Sequence, residues 1–303
     1  KQNNKEFNSY VAKNYGQYFE KEGSISDLEK ALEWYDKALT YYSPLASYYA
    51  PIQEDKGRIL LNLKRYEESF NLFKELLAHE NTEVVTKSLK DAYGFPQYYR
   101  YELKPTISQL IKHPSANVRF QLLAPWNSIL DDEQVLAFVK DPDPTLQKIA
   151  IQVLRKKGFK PAIAELLPFL KSSDKELFTV TLETLSELGD ETLIPHFTPF
   201  LSFQDSEIKG LAIQALGNLN APVNQILPHL IPFLKSTDPV LQKHTIGVIA
   251  DKRLFDPSLV PYFVPFLKDP NSDIRVSTLS IFKAVGNDKE LITHLFPLLK
   301  DGD

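Results

Sequence analysis

The chain has 303 residues, 43% of them hydrophobic and 24% charged, and 35 Lys and Arg against 39 Asp and Glu give a formal net charge of −4. This is a globular composition with material for a sizeable core; no run approaches the roughly 18 apolar residues of a membrane-spanning helix, and the acidic balance argues against nucleic acid as a partner. Cysteine is absent, which removes disulfides, thiolate metal sites and cysteine nucleophiles, and methionine is absent even at position 1.

The opening KQNNKEFNSY is polar and predicts a tether. With the missing Met, it predicts an extracytoplasmic bacterial protein, periplasmic or lipid-anchored, whose precursor carries a signal peptide; a trimmed cytoplasmic protein is the alternative. Over the next residues, YGQYFEKEGSISDLEKALEWYDKAL and KGRILLNLKRYEESFNLFKELL place small and aromatic residues where two helices pack closely. These are Gly16, Ala31, Tyr35, Ala38 and Pro44 in the first copy and Gly57, Tyr66, Ser69 and Phe73 in the second. The pattern resembles the tetratricopeptide repeat, with KEGSIS as an insertion in the first copy. Residues 1–80 are expected to form two such repeats.

Residues 91–105, DAYGFPQYYRYELKP, gather Tyr93, Phe95, Tyr98, Tyr99 and Tyr101. An aromatic cluster here either seals the joint between two repeat types or anchors a partner, because rings bury much area at little rotamer cost.

From about residue 81 onward a second repeat takes over. SANVRFQLLAPW and NTEVVTKSLKDAY read as second helices of two early units, and later units carry a proline followed by two apolar residues at Pro168, Pro199, Pro232, Pro265 and Pro297. The intervals are 31, 33, 33 and 32 residues. IPHFTPFLSF, LPHLIPFLKS and VPYFVPFLKD even place two prolines four residues apart in a helical pattern, although a proline in a helix interior costs about 3 kcal/mol.

A polar turn follows each of the first four, and a further segment opens on the N-cap types Asp174, Asp205, Asp238 or Asn271, with Pro144 and Pro239 suited to a first helical position. Its core positions recur at intervals of four: Leu146, Ala150, Leu154; Leu177, Thr181, Leu185; Ile208, Ala212, Leu216; Leu241, Thr245, Ile249; Ile274, Thr278, Phe282. Gly158, Gly189, Asn220 and Gly286 are expected to stop the helix in a left-handed conformation, with a less regular stop at Arg253.

These residues resemble the HEAT repeat. The resemblance implies a first helix kinked at its proline, a second helix lining an inner face, and a turn Asp with a helix Arg. Both of the latter occur in one unit, Asp269 and Arg275, whereas Arg119 matches alone after Val118, and Gln147, Phe178, Lys209 and Gln242 stand at the Arg position elsewhere. The expected fold is an all-α solenoid, a right-handed superhelix of antiparallel helix pairs. Residues 81–303 would supply about seven HEAT-like units, with NDKELITHLFPLL at 288–300 as a capping helix.

His196, His229 and His294 fall at equivalent places of successive units. Helices about 8–10 Å apart hold such histidines too far apart for one ion with ligand bonds of about 2 Å, so no metal is expected. His79-Glu80 is one His-Glu dipeptide where HEAT-like hydroxylases use several to hold two irons, and no phosphate loop or nucleophile elbow is present.

The second helices would instead expose Arg119, Gln147, Lys148, Lys209, Gln242, Lys243 and Arg275, a positive, amide-rich ridge. The expected function is therefore a monomeric, non-catalytic scaffold without cofactor, whose concave face holds a protein or peptide, the ridge suiting an acidic segment. Alternatives are an accessory enzyme resembling the HEAT-like bilin lyases, which bind a pigment and its acceptor, and a structural lipoprotein spacer.

Overall fold

Small residues decide how the first helices meet. In the computed structural model, which describes residues 2–41, 47–256 and 259–285, α1 (Gln2–Glu22) folds back on α2 (Ile25–Tyr41) through Gly23, whose φ is 74°. A β-carbon on Gly16 would lie 2.7 Å from the ring of Tyr35, which is fully buried. α3 (Tyr49–Asn62) and α4 (Tyr66–Leu76) repeat the device: a β-carbon on Gly57 would lie 3.1 Å from Phe73, and Ser69 Oγ donates to the Gly57 carbonyl at 2.7 Å. The small positions thus let aromatic rings approach backbone. Pro44 lies outside the described residues.

The chain divides into two compact units, residues 1–153 and 154–303, so the expected boundary at 80–81 lies within the first. The first unit continues through α5 (Thr82–Ala92), α6 (Gln97–Glu102), α7 (Lys104–Gln109), α8 (Ala116–Leu123) and α9 (Asp132–Ala137). The division falls inside α10 (Pro144–Lys157). The second unit holds α11 (Ala162–Leu166), α12 (Lys175–Leu188), α13 (Ile194–Phe197), α14 (Ser206–Asn218), α15 (Val223–Leu234), α16 (Pro239–Asp251), α17 (Val260–Phe263) and α18 (Ser272–Val285). All fifteen expected core positions are buried except Ile208, which is half-exposed. Of the three buried threonines in this stripe, Thr245 and Thr278 each donate to the carbonyl four residues back, at 2.7 Å, whereas the Thr181 hydroxyl has no partner among the described residues. The expected capping segment at 288–300 lies outside the described residues.

The paired prolines do not kink a continuous helix in most repeats. Pro195 and Pro261 sit in the first turn of the short helices α13 and α17, and Pro199 and Pro265 open separate 3-10 turns at 198–202 and 264–268; Pro168 opens 167–171 in the same way. A first-turn N–H has no helical partner, so its absence costs little. The expectation of a kinked helix is corrected there: the α-helix gives way to 3-10 geometry. The same change occurs without such a proline at 110–112 and 138–140, so it belongs to the repeat, and proline is merely compatible with it. α15 alone among these runs through both prolines, Pro228 and Pro232. Its rings are exposed, as are Asn224 and Pro228, whose carbonyls lose the usual donor, so water can take its place.

The second helices start as expected. The Oδ1 atoms of Asp174, Asp205 and Asp238 each accept two backbone N–H groups of the first turn, and Asn271 Oδ1 accepts that of Asp273 at 2.9 Å. A further tier was not foreseen: two residues before the cap, Asp141 Oδ1, Ser172 Oγ, Ser236 Oγ and Asp269 Oδ1 accept the N–H of the cap residue itself, as do His79 Nδ1 and His113 Nδ1.

Helix stops depart from expectation at Gly189, Asn220 and Arg253. Gly158 is left-handed, with φ 66°, but so is Arg253, with φ 53°, whereas Gly189 has φ −92°. Gly189 is needed for space: a β-carbon would overlap Leu193 and lie 2.8 Å from the Leu185 carbonyl. Asn220 is not left-handed either and instead forms an isolated backbone bridge with Asp190, while Gly286 lies outside the described residues. Replacing exposed Arg253 by Gly should therefore raise unfolding stability by about 0.5–1 kcal/mol, by relief of a strained φ. Gly189→Ala should lower it by about 2 kcal/mol through overpacking. Urea denaturation of the two variants checks both signs.

Candidate functional site

At the fourth position after four of the N-caps, Ser115, Asp143, Asp238 and Asn271, the side chain serves the turn rather than an open face. Arg119 is 7% exposed; its Nε and Nη2 donate to Asp141 at 2.7 and 2.9 Å, and Nη1 donates to the carbonyls of His113 and Pro114. Gln147 Nε2 donates to the Asp141 carbonyl at 2.7 Å, Gln242 Nε2 to that of Leu234 at 2.8 Å, and Arg275 Nη1 to those of Asp269 and Pro270 at 2.9 and 3.2 Å. The placement of Arg119 on an exposed ridge is thus corrected. It is buried because a turn's carbonyls and the next turn's carboxylate both need a donor. Its bidentate bond to Asp141 holds the guanidinium's proton still more firmly. Asp141 went unrecognised because its partner belongs to the preceding repeat; an Arg followed 22 residues later by a turn Asp was the available signal.

The remaining ridge residues sit closer to solvent. In the first unit Lys148 is half-buried; in the second, Lys209 is half-buried and exposed Lys243 pairs with Asp273 at 3.0 Å. Within the second unit, α14, α16 and α18 border an open groove of about 830 Å³, lined in part by Gln214, Gln242, Lys243, His244, Gly247 and Asn271. A β-carbon on Gly247 would meet nothing within 4 Å, and the sheltered Nε2 of His244 has no hydrogen-bond partner among the described residues. Asp251 and Asp269 line it beside Lys243 and Lys252, so its charge is mixed. The sequence signal for this groove was a glycine in a helix interior, where Ala would be favoured by about 1 kcal/mol.

The junction aromatics split. Phe95 is buried against Phe73 and Phe70, and Tyr99 packs at a tilt on Tyr66, Phe70 and Phe95, with ring centroids 5.6–5.7 Å apart. Tyr93 meets Trp126 edge-on and carries Arg100 over its ring, while Tyr98 and Tyr101 are exposed.

His196 is exposed and His229 half-buried; His294 lies outside the described residues. His79, of the lone His-Glu pair, uses Nδ1 in its turn. Among the described residues, no group of three or more His, Cys, Asp or Glu is placed to hold a metal ion, and no helix is long and apolar enough to cross a membrane.

Residues 133–222 match the HEAT repeats family. The chain is similar in fold to YibA from Escherichia coli, at 15% identity and a TM-score of 0.51 over 83% of this chain and 96% of that one. An engineered protein is similar at 15% identity and a TM-score of 0.49, over 91% of this chain and 84% of the other. No curated protein matches in sequence.

Sequence patterning gave no sign of a carboxyl cluster in the first unit. Arg58 donates to Glu20 and Asp55, and the buried Tyr35 phenol donates to Glu20 at 3.0 Å, its ionisation pushed up by burial. Glu54 is 3% exposed, and burial pushes its carboxyl up from 4.5 to about 7, opposed by Lys87 and reinforced by Asp91 and Asp55. Asp91 is raised by burial as well. Because folded Glu54 holds its proton more tightly than the unfolded chain does, its contribution to stability falls as pH rises from 4.5 to 7 and stays low above that. Glu54→Gln should thus leave stability nearly unchanged at pH 4 and raise it at pH 8 by on the order of 2 kcal/mol. Urea unfolding of wild type and variant at the two pH values measures it.

Proposed function

The chain is an all-α helical solenoid with HEAT repeats at residues 133–222, and on that premise we propose that it is a non-catalytic scaffold holding an extended segment of a partner protein. The observation that carries this reading is the groove between α14, α16 and α18. Its floor is kept low by Gly247, at a cost in helix propensity that nothing nearby recovers by packing.

The groove's chemistry suits a peptide main chain. Gln214 and Lys243 offer donors, Gln214 also offers an amide oxygen, and the unsatisfied His244 Nε2 waits in a sheltered position. A peptide that satisfies such a group recovers a buried hydrogen bond worth about 0.5–1.5 kcal/mol. Because the lining carries both signs of charge, selectivity here rests on hydrogen bonding and shape more than on a net acidic partner.

Filling the floor tests the reading. Gly247→Ala should raise stability by about 0.5–1 kcal/mol, since the site is helical and open. Gly247→Trp should keep the melting curve and block the groove. Selection of displayed random peptides on the wild-type protein, counter-screened on Gly247→Trp, should enrich peptides that bind the first and not the second. Failure to enrich any groove-dependent peptide overturns the proposal.

A further inference from the structure

One repeat of the second unit abandons the polar turn. Two residues before the caps stand His79, His113, Asp141, Ser172, Ser236 and Asp269, each accepting a backbone N–H, but the turn before α14 has Phe203 there. One repeat earlier, at the fourth position where Arg119 and the glutamines reach back to turn carbonyls, α12 carries Phe178. Arg119 and Asp141 occupy these two places in successive repeats and pair directly. Phe178 and Phe203 are their counterparts, and Phe200 lies between them with ring centroids 5.1 and 5.2 Å away.

Three rings cannot close the gap as a bidentate ion pair does. A cleft of about 580 Å³ remains, with Phe178 buried, Phe203 44% exposed and Pro199 at its border. It also explains the exception in the core stripe: Ile208 lines this cleft, while its counterparts Leu146, Leu177, Leu241 and Ile274 are buried. Its volume lies in the range of ordinary ligand pockets, about 300–1,000 Å³.

The border has one sign of charge. The titratable residues lining the cleft are Lys171, Lys175 and His196, with no carboxylate among them. Lys175 pairs with Glu207 of the next repeat, which leaves Lys171 to set the field at the mouth. We propose that this cleft is a second binding site, separate from the α14–α16–α18 groove, which takes a bulky apolar side chain of a partner peptide with an acidic residue beside it. The rings and Pro199 receive the apolar group, and Lys171 selects for the neighbouring carboxylate.

Fluorescence polarisation of a labelled synthetic peptide with a single Trp flanked by glutamates tests this, against one peptide with the Trp replaced by Ser and one with lysine flanks. Both controls should bind at least tenfold more weakly. Phe203→Ser, at an exposed position, and Lys171→Glu should each weaken the Glu-flanked peptide at least tenfold with melting curves retained, whereas Gly247→Trp should leave it unchanged. Equal binding of the lysine-flanked peptide, or retention of binding by either cleft variant, overturns the proposal. Loss through Gly247→Trp alone also overturns it, and assigns the peptide to the groove. The double variant Phe178→Arg with Phe203→Asp, which installs the pair seen at Arg119 and Asp141, should close the cleft and abolish binding.

Discussion

Every repeat of this chain must reverse direction between two helices, and the reversal strands backbone N–H and C=O groups that the helices cannot satisfy. The rest of the structure depends on how those groups are met. One side chain caps the second helix, another two residues earlier supports the cap, and a third, four residues into the helix, reaches back to the turn carbonyls. The third role is filled by Arg119 and Arg275 but also by Gln147 and Gln242, because an amide donates to a carbonyl as well as a guanidinium does. What differs is reach: Arg119 has two further donor nitrogens to form a bidentate pair with the next turn's Asp141, and a glutamine, with one donor nitrogen on a shorter side chain, does not.

This constraint changes the meaning of the polar residues on the second helices. Cations and amides that look like a ligand-binding ridge are in large part committed to backbone, and Lys243 shares its charge with Asp273. Open space is left where the pattern relaxes. At Gly247 a missing side chain opens the groove, and at Phe178 and Phe203 rings replace the polar pair and leave a cleft. The two places differ in character, one a mixed polar trough and the other an apolar hollow with cationic borders.

Glycine and proline play opposite parts in holding the helices together. Gly16 and Gly57 are filled by the rings of Tyr35 and Phe73, so their absent side chains become packing. Gly217 likewise admits Val248, since a β-carbon there would overlap it. The prolines stay on exposed surface: outside α15, Pro168, Pro195, Pro199, Pro261 and Pro265 sit at the first turns of short helical segments, where their missing donors are inexpensive, and in α15 the exposed Pro228 and Pro232 leave carbonyls that water can reach.

The sequence by itself determined the helix pairs, their caps and their core stripes, because N-cap chemistry and four-residue apolar spacing are local and repeat at a fixed interval. It also located Gly158 as a left-handed stop. Only the tertiary structure decided the roles of the exceptions. Arg253 holds a left-handed stop despite its β-carbon, and Gly189 is small for the sake of Leu193 rather than for its φ. Arg119 finds its carboxylate in the following repeat, Ile208 leaves the core because Phe178 and Phe203 hold a cleft open beside it, and Glu54 is buried among charges from α3 and α5. Each of these depends on residues far apart in the chain, and a one-dimensional pattern records which residue types recur but not which of them meet.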